Sequence, residues 1–370
     1  MPGSEWADLD PMETRAAPPL DAVAVNRNGG DRILETVAAL IRQPAPFRRI
    51  YVVDNASTDG SSDRLRDRFP QVVVHPMGRN SGPTAARNVG LRLSDAPFVL
   101  LLDEDIYVAE DCVSLLLAAQ RDTGAAVICP RVVLHPDRRL VQADGAEAHF
   151  VGTMTLRHGF MPVADTPPSR DLVRGCIGAC MLLDREKALA AGGFDESYFF
   201  YFEDLEFMLR LRSLGLDFVC EARAVVYHDR GEGTPGLSFR GLGSYPARRA
   251  DLTMRHRLLT MFLHYRWRTL LVLAPALLAY EVATLTLAVG RGWTGAWLRA
   301  WGWQLAHRGS IRERRRALQS RRVRPDRELL SGGALPLAPG VLRSPLTRVP
   351  VRLFSGALNA YWALARHAIG

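Results

Sequence analysis

The sequence lacks the features that mark several common protein classes. Its five cysteines are scattered and odd in number, which argues against a disulfide framework and for a reducing compartment. Cys176 and Cys180 are four residues apart, but no second pair of metal-binding type accompanies them, so we interpret them as small buried residues. Residues 1–20 contain acidic residues and no apolar core, so they do not resemble a secretory signal. We therefore expect a disordered leader over residues 1–20.

Two familiar nucleotide-binding motifs are also missing. The chain has no Gly-x-x-x-x-Gly-Lys-Ser/Thr phosphate loop, and no Gly-x-Gly-x-x-Gly fingerprint follows its first predicted strand. These absences argue against an ATPase of the phosphate-loop type and against a dinucleotide-binding enzyme. Instead, a glycine-containing segment at residues 78–83 opens a predicted helix, where backbone N–H groups can approach a phosphate.

The chain also lacks an uninterrupted apolar run of membrane-spanning length. Residues 269–288 are apolar except for Glu281, and a central carboxylate makes insertion unfavourable by about 2.5–3.5 kcal/mol. We therefore favour an interfacial or partly inserted helix over a transmembrane one. Flanking tryptophans favour the headgroup layer, although they are also compatible with a helical tail that packs on the rest of the protein.

Positive charge is concentrated in one segment of this region. Between Arg291 and Glu328 there are eleven arginines against three acidic residues, so this segment alone carries the formal net charge of +8. Such a patch suits an anionic surface, either phospholipid or nucleic acid. We predict that residues 246–370 form a helical, basic, membrane-associating region.

The first part of the chain alternates between strand and helix patterns. Short β-branched runs are followed by segments with helical spacing of apolar residues, which predicts a mostly parallel sheet covered on both faces. In such sheets, ligands bind beyond the carboxyl ends of the strands. The predicted strands are residues 21–26, 49–53, 71–75 and 98–102, and the predicted helices are residues 31–42, 61–69 and 82–94.

The following part of the chain has a weaker pattern. Residues 145–175 suggest a loop-rich or antiparallel section, residues 203–214 a helix, residues 217–227 a pair of strands, and residues 231–236 a flexible loop. Within the predicted helix, Glu206 and Arg210 are four residues apart, which is typical of a surface ion pair. We predict that residues 21–245 form one α/β domain.

Polar loops follow the predicted strands. Asp103, Glu104 and Asp105 come directly after an apolar strand, where alternate carboxylates can reach one hard cation such as Mg²⁺ or Mn²⁺. The alternative is a solvated acidic loop. Residues 54–60 and 26–30 contain Asp, Asn, Ser and Gly, which suit either a nucleotide-binding loop or an ordinary turn and helix cap.

Four motifs occur in a recognisable order. They are VVDNASTDG at residues 52–60, GRNSGPTAARNVG at 78–90, LLDEDI at 101–106, and GGFDESYFFYFEDLEFMLRL at 192–211. Together they closely resemble the family 2 inverting glycosyltransferases, most of all the bacterial members that add rhamnose or similar sugars to cell-envelope glycans. The resemblance runs from about residue 21 to about residue 236. It implies a GT-A fold, in which an α/β sheet binds a nucleotide-activated sugar.

The resemblance also implies residues for the nucleotide side of the site. Asn26, Asp54 and Asn55 match positions at the nucleotide, with Asp54 facing the pyrimidine base. Arg79 and Asn80 match residues that hold the nucleotide or its diphosphate. The first loop departs from the family, because it reads Asn-Arg-Asn where relatives commonly have an aromatic residue.

For the chemistry, the resemblance implies a metal ion and a base. Asp103 and Asp105 match the Asp-x-Asp motif, with Asp105 as the direct ligand of Mg²⁺ or Mn²⁺ and Asp103 nearer the ribose. His228 resembles the histidine that completes the metal site. Asp204 matches the catalytic base, with Glu203 as a supporting acid. A carboxylate that removes the proton of an acceptor hydroxyl accelerates its attack at the anomeric carbon, and a helix N-terminus favours the ionised form of Asp204.

Three function classes remain open from the sequence. The first is an inverting glycosyltransferase that uses a UDP- or dTDP-sugar and acts on a lipid-linked or cell-envelope glycan, at the cytoplasmic face of the cell membrane. The second is a sugar nucleotidyltransferase, which needs more basic residues in the first loop than Arg27 alone. The third is a non-catalytic glycan- or nucleic-acid-binding protein, although no nucleic-acid recognition motif is present.

Overall fold

The computed structural model describes residues 19–229, 247–335 and 345–369, with side chains of the last segment described from residue 349. The predicted leader lies outside these residues, except for its last two positions, and so does the predicted loop at 231–236. The strands are β1 (Leu20–Asn26), β2 (Arg49–Asp54), β3 (Val73–Pro76), β4 (Phe98–Asp103), β5 (Ile106–Val108), β6 (Val127–His135), β7 (Val141–Ala143), β8 (Ala146–His149), β9 (Thr153–Leu156), β10 (Arg170–Val173), β11 (Cys180–Asp184), β12 (Phe218–Asp229) and β13 (Leu330–Ser331). The helices are α1 (Asp31–Ile41), α2 (Ser61–Arg68), α3 (Gly82–Leu93), α4 (Cys112–Thr123), α5 (Arg185–Ala190), α6 (Glu203–Ser213), α7 (Ala247–His264), α8 (Trp267–Arg291), α9 (Thr294–Ala306), α10 (Arg308–Ser320), α11 (Asp326–Leu329) and α12 (Pro345–Ala365).

A large mixed sheet forms the centre of the α/β part. Its main strand order is β10-β12-β6-β11-β4-β1-β2-β3. Strands β1 to β4 are parallel to their neighbours in the order β4-β1-β2-β3, and β12 is parallel to β6, whereas β11 runs antiparallel between β4 and β6. The predicted fold class, a mostly parallel α/β sheet with a helical C-terminal region, is confirmed.

The sheet is buried on both faces because its central strands carry apolar residues at successive positions. In β1, Val23 and Val25 belong to the core on one face, and Ala22 and Ala24 belong to the core on the other. Helix α3 crosses β1 closely at Gly90, where a Cβ atom would lie 2.1 Å from Cγ1 of Val23. All five cysteines are buried and free, as the sequence predicted.

One strand prediction was wrong. Residues 217–227 form a single long strand, β12, and not a pair. Its pairing with β6 shifts register between Glu221 and Val225. Glu221 is fully buried, and its carboxylate accepts bonds from Arg170 and Arg223 at 2.6–2.7 Å. The polar residues that suggest a turn therefore form a bulge, in which the buried charge is paired within the sheet.

The section at residues 145–175 contains the antiparallel hairpin β8–β9, in agreement with the prediction. Strand β13, which lies late in the chain, pairs in parallel with β8. Nearby, the ring of Trp362 on α12 stacks on Phe150 with centroids 5.0 Å apart. The C-terminal segments are thus tied directly to the α/β part.

Helix α8 runs without interruption through Pro275 and Glu281. Within the described part of the chain, it is the one helix long and apolar enough to cross a membrane, judged by length and composition alone, and only 11% of its apolar stretch is buried. Glu281 is ion-paired with Arg257 of α7, and it accepts bonds from the indole N–H groups of Trp297 (3.1 Å) and Trp301 (3.3 Å). The carboxylate that interrupts the apolar sequence is therefore neutralised by neighbouring helices.

Candidate active site

The carboxyl ends of three neighbouring strands bring the predicted polar residues together. Asn26 at the end of β1 is in register with Asp54 at the end of β2, and Val25 is in register with Asp103 at the end of β4. The loops after parallel strands lie at one edge of the sheet, which is where ligands bind in this class of fold.

Asn26 organises the nucleotide side of this edge. Its side-chain nitrogen lies 3.2 Å from Oδ1 of Asp54, 3.2 Å from Oγ of Ser57 and 3.0 Å from Oγ of Ser61, and its oxygen accepts from the N–H of Gly29 at 3.2 Å. Asn26 has no exposed surface, and Asp54 is only 6% exposed. The side chain of Asn26 thus holds the loops after β1 and β2 together, and the surface that a nucleotide would contact belongs to its neighbours.

Asn55 also joins two loops, the one after β2 and the one before α3. Its side-chain nitrogen donates to Oδ1 of Asn80 at 3.0 Å, and its oxygen accepts from the N–H of Ser81 at 2.9 Å. Asn55 is buried, whereas Arg79 and Asn80 are exposed on the loop that precedes α3. Arg27, the residue that departs from the family pattern, has a buried Nη1 without a hydrogen-bond partner within the described residues. A buried donor of this kind is costly to leave unpaired, so Arg27 is suited to an anionic or carbonyl ligand.

Arg87 on α3 is the central cation of the site. Its guanidinium donates to Asp103 at 2.8 Å, to Glu203 at 3.2 Å and to the carbonyl of Gly178 at 3.0 Å. A Cβ atom at residue 178 would lie 2.9–3.1 Å from three guanidinium atoms, so a larger residue there would displace the guanidinium of Arg87. The predicted site residues do not include Arg87. The feature of the sequence that could have identified Arg87 is its position among small residues on the buried face of a predicted helix.

Burial sets the electrostatics of the acids around Arg87. It raises the pKa of Asp103 above its ordinary value, against the attraction of Arg87. Burial, followed by repulsion from Asp204, raises the pKa of Glu203 to about 7. The pKa of Asp204 is also raised, chiefly by burial. Asp204 does lie in the first turn of α6 as predicted, but burial outweighs the helix dipole that was expected to favour its ionised form.

The two acids of this pair face different surroundings. Glu203 is buried, and its Oε2 has no hydrogen-bond partner within the described residues. Asp204 is partly exposed, and its carboxylate accepts from the backbone N–H groups of Leu205 (2.8 Å) and Gly178 (3.4 Å). Of the two, Asp204 is therefore the one that an incoming hydroxyl group can reach.

The predicted metal ligands Asp105 and His228 lie next to each other. Nε2 of His228 is 3.4 Å from Oδ1 of Asp105, and Nδ1 of His228 is 2.8 Å from Oε1 of Gln142. If Nδ1 donates to Gln142, the neutral ring directs its Nε2 lone pair towards Asp105, as a metal-ligating histidine does. Asp103 is instead paired with Arg87. Among the residues that the structure describes, no three His, Cys, Asp or Glu side chains form a complete metal cluster.

An unusual backbone segment leads into the acids. Phe199, Tyr201 and Phe202 have φ angles of 55°, 65° and 70°. Such angles are strained for bulky residues and persist where the surroundings enforce them. Helix α7 contacts this segment from behind, because Nδ1 of His256 lies 2.8 Å from the carbonyl oxygen of Tyr201. The aromatic sequence was evident from the chain, but its conformation was not.

The prediction that Glu206 and Arg210 form a surface pair was wrong. Both residues are buried, and Arg210 binds the Glu206 carboxylate with two bonds of 2.8 and 2.9 Å. The guanidinium also donates to the carbonyls of Ala191 and Gly193, and Nε2 of His264 lies 3.2 Å from Glu206. An i, i+4 spacing on a helix is compatible with a surface ion pair and with a buried one. The face of α6 on which the pair lies is covered by α7 and by residues 191–193.

The sequence is similar to known glycosyltransferases. Residues 22–188 match the family described as glycosyl transferase family 2. The N-acetylglucosaminyl-diphospho-decaprenol L-rhamnosyltransferase of Mycobacterium tuberculosis is 27% identical over 237 residues, which cover 58% of this chain and 77% of that protein. The succinoglycan biosynthesis protein ExoU of Rhizobium meliloti is 32% identical over 184 residues, covering 49% of this chain and 53% of that one.

Solved structures share the fold at low sequence identity. GalNAc-T7, crystallised with UDP, GalNAc and Mn²⁺, aligns with a TM-score of 0.55 and 17% identity over 69% of this chain, but only 49% of that protein is covered. Residues 1–349 of TarS from S. aureus, in complex with UDP-GlcNAc, align with a TM-score of 0.52 and 18% identity, over 76% of this chain and 79% of that one. Residues 22–188 of this chain therefore match glycosyl transferase family 2, and the α/β part has the GT-A type of fold.

Proposed function

We propose that this protein is an inverting glycosyltransferase that moves a sugar from a nucleoside-diphosphate donor to a hydroxyl group of a lipid-linked or cell-envelope glycan. One observation carries the proposal. The pair Glu203–Asp204 begins a helix beside the acidic strand end at Asp103, and one buried arginine, Arg87, joins the two. A partly exposed carboxylate beside a diphosphate-binding edge is the arrangement that single displacement at an anomeric carbon requires.

Separate residues of the chain act as the base, position that base and bind the nucleotide. Asp204 accepts the proton of the acceptor hydroxyl as the oxygen attacks the anomeric carbon and the nucleoside diphosphate departs from the opposite face. Its raised pKa makes it a stronger base than an exposed aspartate. The backbone N–H groups of Leu205 and Gly178 hold its carboxylate in position, and Arg87 binds the carbonyl of Gly178. Arg79, Asn80 and the buried donor of Arg27 bind the nucleotide or its diphosphate, and Asp54 accepts from the base.

Asp105 and His228 are the residues that would hold a divalent cation, Mg²⁺ or Mn²⁺. Magnesium in particular is commonly bound by one or two protein carboxylates together with substrate phosphates, so a two-residue site at the diphosphate fits the donor set. When bound, the cation stabilises the negative charge of the departing diphosphate. The GalNAc-T7 structure, which shares the fold, contains UDP and Mn²⁺.

The relative named as a rhamnosyltransferase supports a finer proposal about substrates. We propose a UDP- or dTDP-linked sugar such as rhamnose as the donor, and a diphosphate-linked polyprenyl glycan as the acceptor. Because such an acceptor stays in the membrane, we also propose that the protein works as a peripheral enzyme at the cytoplasmic face. The mostly exposed helix α8 and the arginine-rich α10 support this location.

The direct test is turnover of a panel of UDP-, dTDP- and GDP-sugars by the full-length protein with a polyprenyl-diphosphate-linked N-acetylglucosamine acceptor. We expect release of the nucleoside diphosphate only when the acceptor is present, with an inverted anomeric centre in the product. EDTA should stop turnover, and Mn²⁺ or Mg²⁺ should restore it. Synthesis of a nucleotide-sugar from a nucleoside triphosphate, or no transfer from any donor, would refute the proposal.

A further inference from the structure

A second charged site lies in the helical region, away from the strand edge. A cleft of about 520 Å³ opens between the start of α8 and helix α10. Four of its six lining residues are arginines and none is acidic; they are Arg266, Trp267, Arg312, Arg315, Arg316 and Gln319. A concave surface lined by charge of one sign attracts a ligand of the opposite sign.

The arginines of this cleft are held in two different ways. Arg315 is 7% exposed, donates to the carbonyl of Phe262 at 2.6 Å, and lies 4.3 Å over the ring of Trp267. Arg312 and Arg316 are exposed, and within the described chain neither forms an ion pair with an acidic side chain. Like charges one helical turn apart repel each other, so an anion that binds between these two side chains would stabilise them.

Several other arginines of this region, unlike Arg312 and Arg316, are paired with acidic side chains. Arg314, on the same helix, pairs with Asp195, and Arg322 pairs with Asp326. A second cleft of about 390 Å³, lined by residues of α7 and α9, contains an ion pair between Arg299 and Asp251. One of the two arginines that line that cleft is thus paired with an acid of the lining, whereas no acidic residue lines the cleft beside α8.

The surroundings of the cleft indicate what kind of anion fits. Trp267 at its edge is 62% exposed and begins an apolar stripe that continues along one face of α8. Residues spaced by four and seven positions lie on one side of a helix. Leu271, Leu278, Val282 and Val289 continue the stripe and are 61–75% exposed. An arginine-lined cleft at the end of an apolar stripe, with a tryptophan between them, matches the headgroup, interface and acyl layers of a membrane.

We propose that this cleft binds the phosphate of an anionic membrane phospholipid while the α8 stripe lies against the acyl chains. The proposal rests on the membrane location given under the proposed function and adds a defined lipid site to it. The guanidinium groups of Arg312 and Arg316 bind the phosphate oxygens. Arg315, fixed by Phe262 and Trp267, sets the floor of the cleft.

The test is flotation of the full-length protein with vesicles of phosphatidylcholine alone or mixed with phosphatidylglycerol. No sugar donor is present, so the result is independent of transferase activity. The double variant R312Q/R316Q is compared with R92Q/R121Q, which removes two exposed arginines from α3 and α4. Circular dichroism checks that both variants are folded. We expect about 30-fold weaker partitioning for R312Q/R316Q, from about 1 kcal/mol per arginine at the membrane surface, and wild-type partitioning for the control.

Three further outcomes would overturn the proposal. Equal losses in the two double variants would mean that only overall charge matters. Release of the protein from vesicles by millimolar inorganic phosphate would identify a free-phosphate site. Binding to neutral vesicles that contain a polyprenyl diphosphate, lost in R312Q/R316Q, would assign the cleft to the lipid-linked acceptor instead. Conversely, partitioning of R312K/R316K between that of the wild type and R312Q/R316Q would support the proposal, because lysine keeps the charge and lacks the planar fork.

Discussion

Helix α6 carries two buried glutamates one turn apart, and each of them meets a buried arginine. Glu206 accepts two bonds from Arg210, which itself donates to two backbone carbonyls, and the pKa of Glu206 is held well below its usual range by that guanidinium. Glu203 has a single bond of 3.2 Å to Arg87, which also binds Asp103. Burial raises the pKa of Glu203 to about 7.

The difference separates a structural ion pair from a functional one. In the pair of Glu206 and Arg210, nearly every donor and acceptor has a partner, so the charges are stable without a ligand. Around Arg87, one oxygen of Glu203 and the Nε of Arg87 lack partners within the described residues, and three acids share one cation. Perturbed groups of this kind concentrate at functional sites.

A change of Asp204 is expected to have the largest effect, and it tests whether the acids around Arg87 are functional. We expect D204N to lower kcat by about 10²–10⁴-fold, because the amide cannot accept the acceptor's proton. The protein should keep an unfolding midpoint close to that of the wild type, since the amide oxygen can still accept the 2.8 Å bond from Leu205 and only the 3.4 Å bond from Gly178 is lost. Steady-state kinetics and urea unfolding give both values. Wild-type turnover by D204N would remove Asp204 as the base.

The opposite pattern is expected at Glu206, one turn further along the helix. E206A leaves the buried Arg210 without its carboxylate, which should lower the free energy of unfolding by about 3–5 kcal/mol. Turnover per folded molecule should remain near the wild-type value at low temperature, because Glu206 does not contact the strand edge. Urea unfolding measures the first quantity, and active-site titration normalises the second. A loss of kcat with unchanged stability would reverse the assignment of the two glutamates.

The raised pKa of Glu203 predicts a particular dependence of stability on pH. The folded state holds the Glu203 proton up to about pH 7, whereas the unfolded state loses it near pH 4.5. The unfolding free energy should therefore fall as pH rises between these values, by up to about 3 kcal/mol. In E203Q this component should be absent. Parallel urea curves for the two proteins from pH 4.5 to 8 test this, and a constant difference between them would contradict it.

The two ring nitrogens of His228 have different roles: one is bound within the fold, and the other faces the proposed metal site. Its Nδ1 is satisfied by Gln142, and its Nε2 faces Asp105. We expect Q142L to weaken Mn²⁺ affinity by about 10–100-fold, because the imidazole loses the partner that fixes its orientation and tautomer. Calorimetric titration of Mn²⁺ in the presence of the nucleoside diphosphate measures this directly. Q142E, which keeps an acceptor at that position, should retain most of the affinity.

The sequence was sufficient for the parallel strands β1 to β4 and for most of the polar residues that lie at their carboxyl ends. Alternation of β-branched runs with helical spacing identified β1 to β4, since each of these elements is stabilised locally. Tertiary contacts decided the rest. The single bulged strand around Glu221 and the neutralisation of Glu281 each depend on an arginine from a distant element. The burial of Glu206 and Arg210 depends on contacts with α7, from which His264 reaches Glu206. Arg87 was missed because its partners, Asp103 and Glu203, lie 16 and 116 positions away.

The pairing of β13 with β8 limits how this gene can recombine. Nε2 of His149 lies 3.2 Å from the carbonyl oxygen of Gly333, although the residues are 184 positions apart, and Arg257 donates to the carbonyl of Val151. A crossover with a relative placed near residue 246 would import foreign partners for both contacts. Functional chimaeras therefore need to inherit the β8–β9 hairpin and the C-terminal helices from the same parent.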